Sequence, residues 1–161
     1  MRGSRARGFT LIEMAITAAI VALLATIVLP MAEMAVQRTK EQELRSALRQ
    51  IREALDAYKQ AADAGRIEAQ ADASGYPPTL QVLVDGVADI KNADTSKSRI
   101  YFLRRIPRDP FNENVTLSAD QTWGKRSYSS SAEAPKEGGD VFDIYSLAPG
   151  SGLNGVPYRD W

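Results

Sequence analysis

The feature that most constrains this 161-residue chain is a run of 19 consecutive uncharged residues from Met14 to Ala32. At about 1.5 Å of rise per residue, such a helix covers close to the hydrocarbon thickness of a bilayer. Arg2, Arg5 and Arg7 precede it with no acidic residue among them, which holds the amino terminus on the cytoplasmic side and places everything after Ala32 outside. Glu13 stands at the head of the run. A carboxylate inside a spanning helix costs about 2.5–3.5 kcal/mol or more unless a partner compensates it.

Cutting the chain between Gly8 and Phe9 makes the missing cation. The new ammonium at Phe9 lies four residues before Glu13, on the same helical face. A helix start also favours an acidic side chain, but by less than about 1 kcal/mol at exposed sites. A stronger arrangement pairs the Phe9 ammonium of one copy with the Glu13 carboxylate of the next in a low-dielectric setting, which sets an assembly register. Two plainer readings compete. A secretory signal peptide shares the basic start but ends in a small-residue cleavage site, whereas this run is longer and ends at Pro30-Met31-Ala32-Glu33. An uncleaved anchor with Glu13 near the interface is the other.

Gly8-Phe9-Thr10-Leu11-Ile12-Glu13, behind a basic leader, resembles the processing site of type IV pilins and type II secretion pseudopilins. The resemblance implies that a prepilin peptidase cuts after Gly8 and methylates the new amino terminus. Pro30 matches the family's proline along the apolar helix. It removes one backbone hydrogen bond, so a kink or local melting is expected between Thr26 and Pro30.

Beyond Pro30, Leu44, Leu48, Ile51, Leu55 and Tyr58 recur at helical spacing as one apolar stripe. Residues 9–62 are therefore predicted to form one helix of about 80 Å, apolar all round in its first half and amphipathic in its second. Lys40, Glu41, Glu43, Arg45, Arg49, Arg52, Glu53 and Lys59 read as its solvated face, without a binding role. Two heptads are too few for a coiled coil, so the stripe is expected to pack on the chain's own globular part.

The chain has 20 basic and 20 acidic residues, and loss of residues 1–8 removes three arginines and no acid, leaving 17 against 20. No basic patch suggests a nucleic-acid partner. Cysteine and histidine are absent, which excludes disulfides, thiol nucleophiles, Ser-His-Asp catalysis and His- or Cys-ligated zinc.

After the stem, residues 61–74 read as a loop, and Gly75-Tyr76-Pro77-Pro78 stops any helix. Thr79 is placed to cap a two-turn helix through Leu80, Val82, Leu83 and Val84, ending near Gly86. Residues 88–99 read as a surface loop, after which Ile100-Tyr101-Phe102-Leu103 re-enters the core. Two prolines make Arg104–Phe111 a rigid crossing segment, with Arg104, Arg105 and Arg108 forming local ion pairs beside Asp109 rather than an anion site. Residues 122–128 and 141–147 read as an antiparallel hairpin.

Leu103-Arg104-Arg105-Ile106-Pro107-Arg108-Asp109-Pro110-Phe111, the second strand and the segment Gly150–Trp161 are similar to the major pseudopilins of type II secretion. The resemblance implies an α+β, type IV pilin-like fold: a leader (1–8), a transmembrane or filament-core half-helix (9–32), an amphipathic half (33–62), and a periplasmic head (63–161) in which the stem packs on a small antiparallel sheet. It implies a structural subunit, not an enzyme: a single-pass protein of the bacterial inner membrane, assembling with itself, other pseudopilins and an assembly platform. Phe9, Glu13 and Pro30 carry assembly.

In that family the last loop often binds calcium. Here no Asp or Glu lies between Ser146 and Arg159, so Asp143, Ser151, Asn154, Asp160 and carbonyls are the available ligands. The alternative is that glycines shape the loop and a packed Trp161 caps it. Three other functions remain open: a type IV pilus subunit, a non-polymerising membrane-anchored binding module, and a hydrolase using a carboxylate pair from Asp109, Asp140 and Asp143.

Overall fold

The computed structural model describes residues 10–68, 74–91 and 98–161. The fold is α+β: one long helix, α1 (Leu11–Asp63), precedes two small antiparallel sheets, an arrangement consistent with a pilin-like fold. The chain divides into two compact units, Met1–Thr39 and Lys40–Trp161.

In the first unit α1 passes Pro30 without a break in its helical assignment, so the segment from Thr26 to Pro30 is not melted. Among its described apolar side chains, Leu11, Ile16, Leu23, Val28 and Met34 are all exposed.

In the second unit the predicted stripe is the wall of the core. Leu44, Leu48, Ile51, Leu55 and Tyr58, with Ala47, Ala54 and Ala61 between them, are buried against Leu80, Leu83, Leu103, Trp123 and Ile144. The helix ends in a Schellman turn: the N–H of Arg66 bonds the carbonyl of Ala61 and the N–H of Gly65 that of Ala62, both at 2.9 Å. Gly65 takes the left-handed φ of 61° that this closure needs. A chain begun near Glu33 keeps the buried wall and loses the exposed apolar run. It is expected to be a soluble monomer by sedimentation, whereas the full chain requires detergent.

Helix α2 (Gln81–Asp85) is a single turn and starts from Leu80 with no side-chain cap. This corrects the expected two-turn helix capped by Thr79. Burial of Leu80 and Leu83 fixes the turn from below, and Gly86, at φ 71°, ends it as expected.

Residues 88–99 are more ordered at their ends than a surface loop. Strand β1 (Val87–Ala88) pairs antiparallel with β2 (Arg99–Ile100), and the middle of the segment, 92–97, lies outside the described residues. Asp89 is buried, bound by the Arg66 guanidinium at 2.6 Å and by the N–H of Lys91 at 3.2 Å. Its bond to Arg66 holds the Asp89 carboxyl below the ordinary range. Asp140 is also lowered: burial raises it, but bonds from the Ser127 and Ser74 hydroxyls and the Tyr128 N–H outweigh that.

A carboxyl depressed in the folded state contributes stability that is present above its unfolded pKa of about 3.9 and is lost as the pH falls through the folded value. The urea midpoint of the soluble variant is therefore expected to fall as the pH drops below the unfolded carboxyl value. Asp89→Asn should flatten that slope while lowering the midpoint at neutral pH.

The crossing segment after Leu103 is irregular, as its prolines require, and is pinned at two places. The Trp123 indole donates to the Pro107 carbonyl at 2.8 Å. Asp109 is buried, and its carboxylate accepts the N–H of Phe111 at 2.8 Å and the Ser146 hydroxyl at 2.5 Å. The expected ion pairs beside Asp109 do not form among the described residues. Arg108 instead donates to the carbonyls of Leu117 (2.6 Å) and Asn114 (2.8 Å), and Arg104 and Arg105 face solvent. The physical reason is that Asp109 satisfies its burial through Ser146 and backbone, which turns it away from its arginine neighbours.

Strands β3 (Trp123–Arg126) and β4 (Asp143–Ser146) form the predicted hairpin, in register from Trp123↔Ser146 to Arg126↔Asp143. Trp123 and Ile144 point into the core, and single 3-10 turns lie at Asp120–Thr122 and Tyr158–Asp160.

Candidate processing and assembly site

Gly8 and Phe9, the expected processing pair, lie outside the described residues. Thr10 stands immediately before α1 and opens it. The Thr10 carbonyl accepts the first helical bond, from Met14 N–H at 3.1 Å. The Thr10 hydroxyl accepts the N–H of Glu13 at 3.3 Å, and the Glu13 carboxylate accepts the N–H of Thr10 at 3.5 Å. This reciprocal pair is a capping box, which satisfies two of the backbone donors that every helix start leaves open.

Thr-x-x-Glu is legible in the sequence as that signature, yet Glu13 invited an account by charge alone. The carboxylate has a second job: it closes the helix start in its own chain. A carboxylate offers about four acceptor positions, so this contact leaves room for an ammonium.

The hydroxyls of the apolar run are satisfied inside the helix. Thr17 donates to the carbonyls of Glu13 and Met14, both at 3.0 Å, and Thr26 to that of Leu23 at 2.7 Å. Polar groups in hydrocarbon must be paired internally, and these are. Glu13 is the single ionisable residue between Thr10 and Ala32. An 18-residue window of α1 has a mean hydropathy of 2.4 with none of it buried, long and apolar enough to cross a membrane by length and composition.

The second half of α1 contradicts its reading as an entirely solvated face. Glu41 is buried and accepts the N–H of Leu153 at 2.7 Å and the Tyr158 hydroxyl at 3.3 Å. Arg45 lies over the Trp161 ring, 4.3 Å from its centroid. Arg52 bonds Asp143 at 2.8 Å, the Ile144 carbonyl at 3.2 Å and the Trp161 main-chain oxygen at 2.8 Å. A charged stripe alone does not distinguish residues meeting solvent from residues meeting a later loop, and these partners lie 91 to 117 positions away in sequence.

Of the candidate calcium ligands, Asp143, Asn154 and Asp160 have other partners, and Ser151 is held through its backbone. Asp143 lies between Arg52 and Arg126 (3.3 Å). Asn154 accepts the N–H of Val156 at 3.1 Å, Ser151 bridges Pro157, and Asp160 pairs with Arg159 at 3.6 Å. No group of three or more carboxylates is brought together among the described residues. Asp109, Asp140 and Asp143, the possible hydrolytic carboxylates, have separate partners: Ser146, Ser127 with Ser74, and the two arginines.

Residues 3–29 match the prokaryotic N-terminal methylation motif. No curated protein and no solved structure matches the chain. The matched segment holds the basic leader, Gly8, Phe9, the Thr10–Glu13 box and nearly all of the apolar run. The amino-terminal part of this chain is a type IV pilin-like prepilin signal, which implies processing by a prepilin peptidase, membrane anchoring and assembly into pilin-like filaments.

Proposed function

We propose that the chain is a pseudopilin of the type II secretion class, similar to its major subunit, whose work is mechanical and not catalytic. Prepilin peptidase removes residues 1–8 and methylates Phe9. The apolar half of α1 is stored in the bacterial inner membrane with the carboxyl-terminal unit in the periplasm. On assembly the apolar stems leave lipid for a filament core, joined by other pseudopilins on the inner-membrane platform. There the Phe9 ammonium of one copy meets the Glu13 carboxylate of the next and fixes the axial step, and Pro30 lets the helix bend. Growth of the filament pushes exported proteins outward.

The observation that carries this reading is the exposed apolar half of α1, whose one ionisable group sits in the first turn, four residues after Phe9. A solitary anchor gains only the capping box from a carboxylate there, about 1 kcal/mol, whereas a stack of identical helices also gains a register.

Electron microscopy of the native host after overexpression tests it. Short filaments confined to the cell envelope, with export lost on deletion of the gene, are expected. Long surface fibres with normal export favour the type IV pilus reading, and an intact leader without filaments favours the non-polymerising binding module.

A further inference from the structure

The carboxyl-terminal loop, residues 147–161, meets α1 through chemistry that resembles a cation site with the cation replaced. A bound calcium ion gathers six to eight oxygens from carboxylates, main-chain carbonyls and amide side chains. In this chain one guanidinium does the gathering: Arg52 collects an Asp143 carboxylate oxygen, the Ile144 carbonyl and the Trp161 main-chain oxygen. The fork of a guanidinium, with five donors in one plane, suits three acceptors at once. On the loop's other flank the polarity is reversed, with Glu41 accepting the Leu153 N–H and the Tyr158 hydroxyl.

The oxygens that an ion would need already accept hydrogen bonds. The Val156 carbonyl accepts from Gly152 N–H (2.9 Å) and from the Trp161 indole (3.1 Å), the Gly152 carbonyl accepts from Gly155 N–H (2.8 Å), and the Gly150 carbonyl accepts from Tyr158 N–H (3.3 Å). The second Asp143 oxygen faces Arg126, so a dication at Asp143 would stand beside two guanidinium groups and be repelled by both. Trp161 packs closely on the loop, so that a Cβ on Gly152 would stand 2.3 Å from its ring.

We propose that Arg52 takes the place of a calcium ion in this chain while Glu41 fastens the loop's other flank, so that the loop closes on α1 and the carboxyl-terminal unit holds its shape without calcium. Both positions lie on the helix that assembly uses, which ties closure of the loop to the stem itself.

Thermal unfolding of the full chain in detergent micelles tests the proposal, with wild type, Arg52→Gln and Glu41→Gln each scanned in EGTA and in calcium chloride. Wild type is expected to melt at the same temperature in both. Arg52→Gln is expected to melt roughly 5–15 °C lower in both, with Glu41→Gln also lowered and Arg52→Lys falling between Arg52→Gln and wild type. A rise in the wild-type melting temperature on adding calcium overturns the proposal, as does an Arg52→Gln variant that melts with wild type. Should Arg52→Gln fail to fold, calorimetric titration of calcium into the wild-type chain decides: a saturable heat overturns the proposal and its absence supports it.

Discussion

Glu13→Leu is expected to insert into the membrane and lose its leader at the normal rate, yet to yield almost no filament. Breaking a buried ion pair by deleting one partner costs about 3–5 kcal/mol, because the other charge is left uncompensated. At about 1.4 kcal/mol per tenfold, each subunit contact weakens by roughly two to three and a half powers of ten. A polymer made of such contacts does not form at ordinary membrane concentrations.

The capping box adds a smaller effect that must be kept apart from this one. Its loss frays the first turn and costs about 1 kcal/mol. Glu13→Gln separates the two, because glutamine keeps the box with Thr10 while removing the charge. Filament yield, scored by electron microscopy and by shearing or cross-linking of envelope fractions, is expected to fall almost as far in Glu13→Gln as in Glu13→Leu. Thr10→Ala loses the box and keeps the charge, and is expected to assemble at a reduced rate. A Glu13→Gln chain that polymerises normally would show that the carboxylate serves only its own helix.

The second large effect is on stability. Ile51 is fully buried at the middle of the α1 stripe, between Leu48 and Leu55 in the core that also holds Trp123 and Ile144. Ile51→Ala deletes three carbons from this site and is expected to cost about 2–5 kcal/mol, read as the loss in urea unfolding free energy of the variant beginning near Glu33. Against a total stability of about 5–15 kcal/mol for a domain, that is a large fraction. Glu43→Ala, on the exposed side of the same helix, is expected to stay within about 0.5 kcal/mol of the parent. Equal and small losses in both variants would mean that α1 is not a wall of the fold.

The parts of this structure that were legible in the sequence are those set by local periodicity. The apolar run and the stripe from Leu44 to Tyr58 carry their own period, the aromatic and β-branched content of 122–128 and 141–147 marks the hairpin, and each element is present. What the sequence concealed depends on partners far away along the chain. Glu41, Arg45 and Arg52 read as ordinary helix-surface charges because their acceptors and ring partner belong to residues 143–161. Asp109 read as an arginine partner because three arginines adjoin it, whereas its burial beside Ser146 depends on how the crossing segment meets β4. Thr10 was missed for a different reason: the capping signature was visible, but the cost of a charge in lipid drew attention to Glu13 alone.

The same division applies to the amino-terminal site. Residue types and spacing are enough to mark a prepilin signal, because a peptidase reads a short linear segment and the membrane reads hydropathy. Register between subunits is a property of two chains, and one sequence supplies only the two charges that would meet.

The most direct measurement is the mass of the amino-terminal peptide of the protein purified from its native host. The account predicts a peptide that begins at Phe9 and is one methyl group heavier than the unmodified sequence. A functional protein that still begins at Met1 would contradict it, since no ammonium would then stand four residues before Glu13.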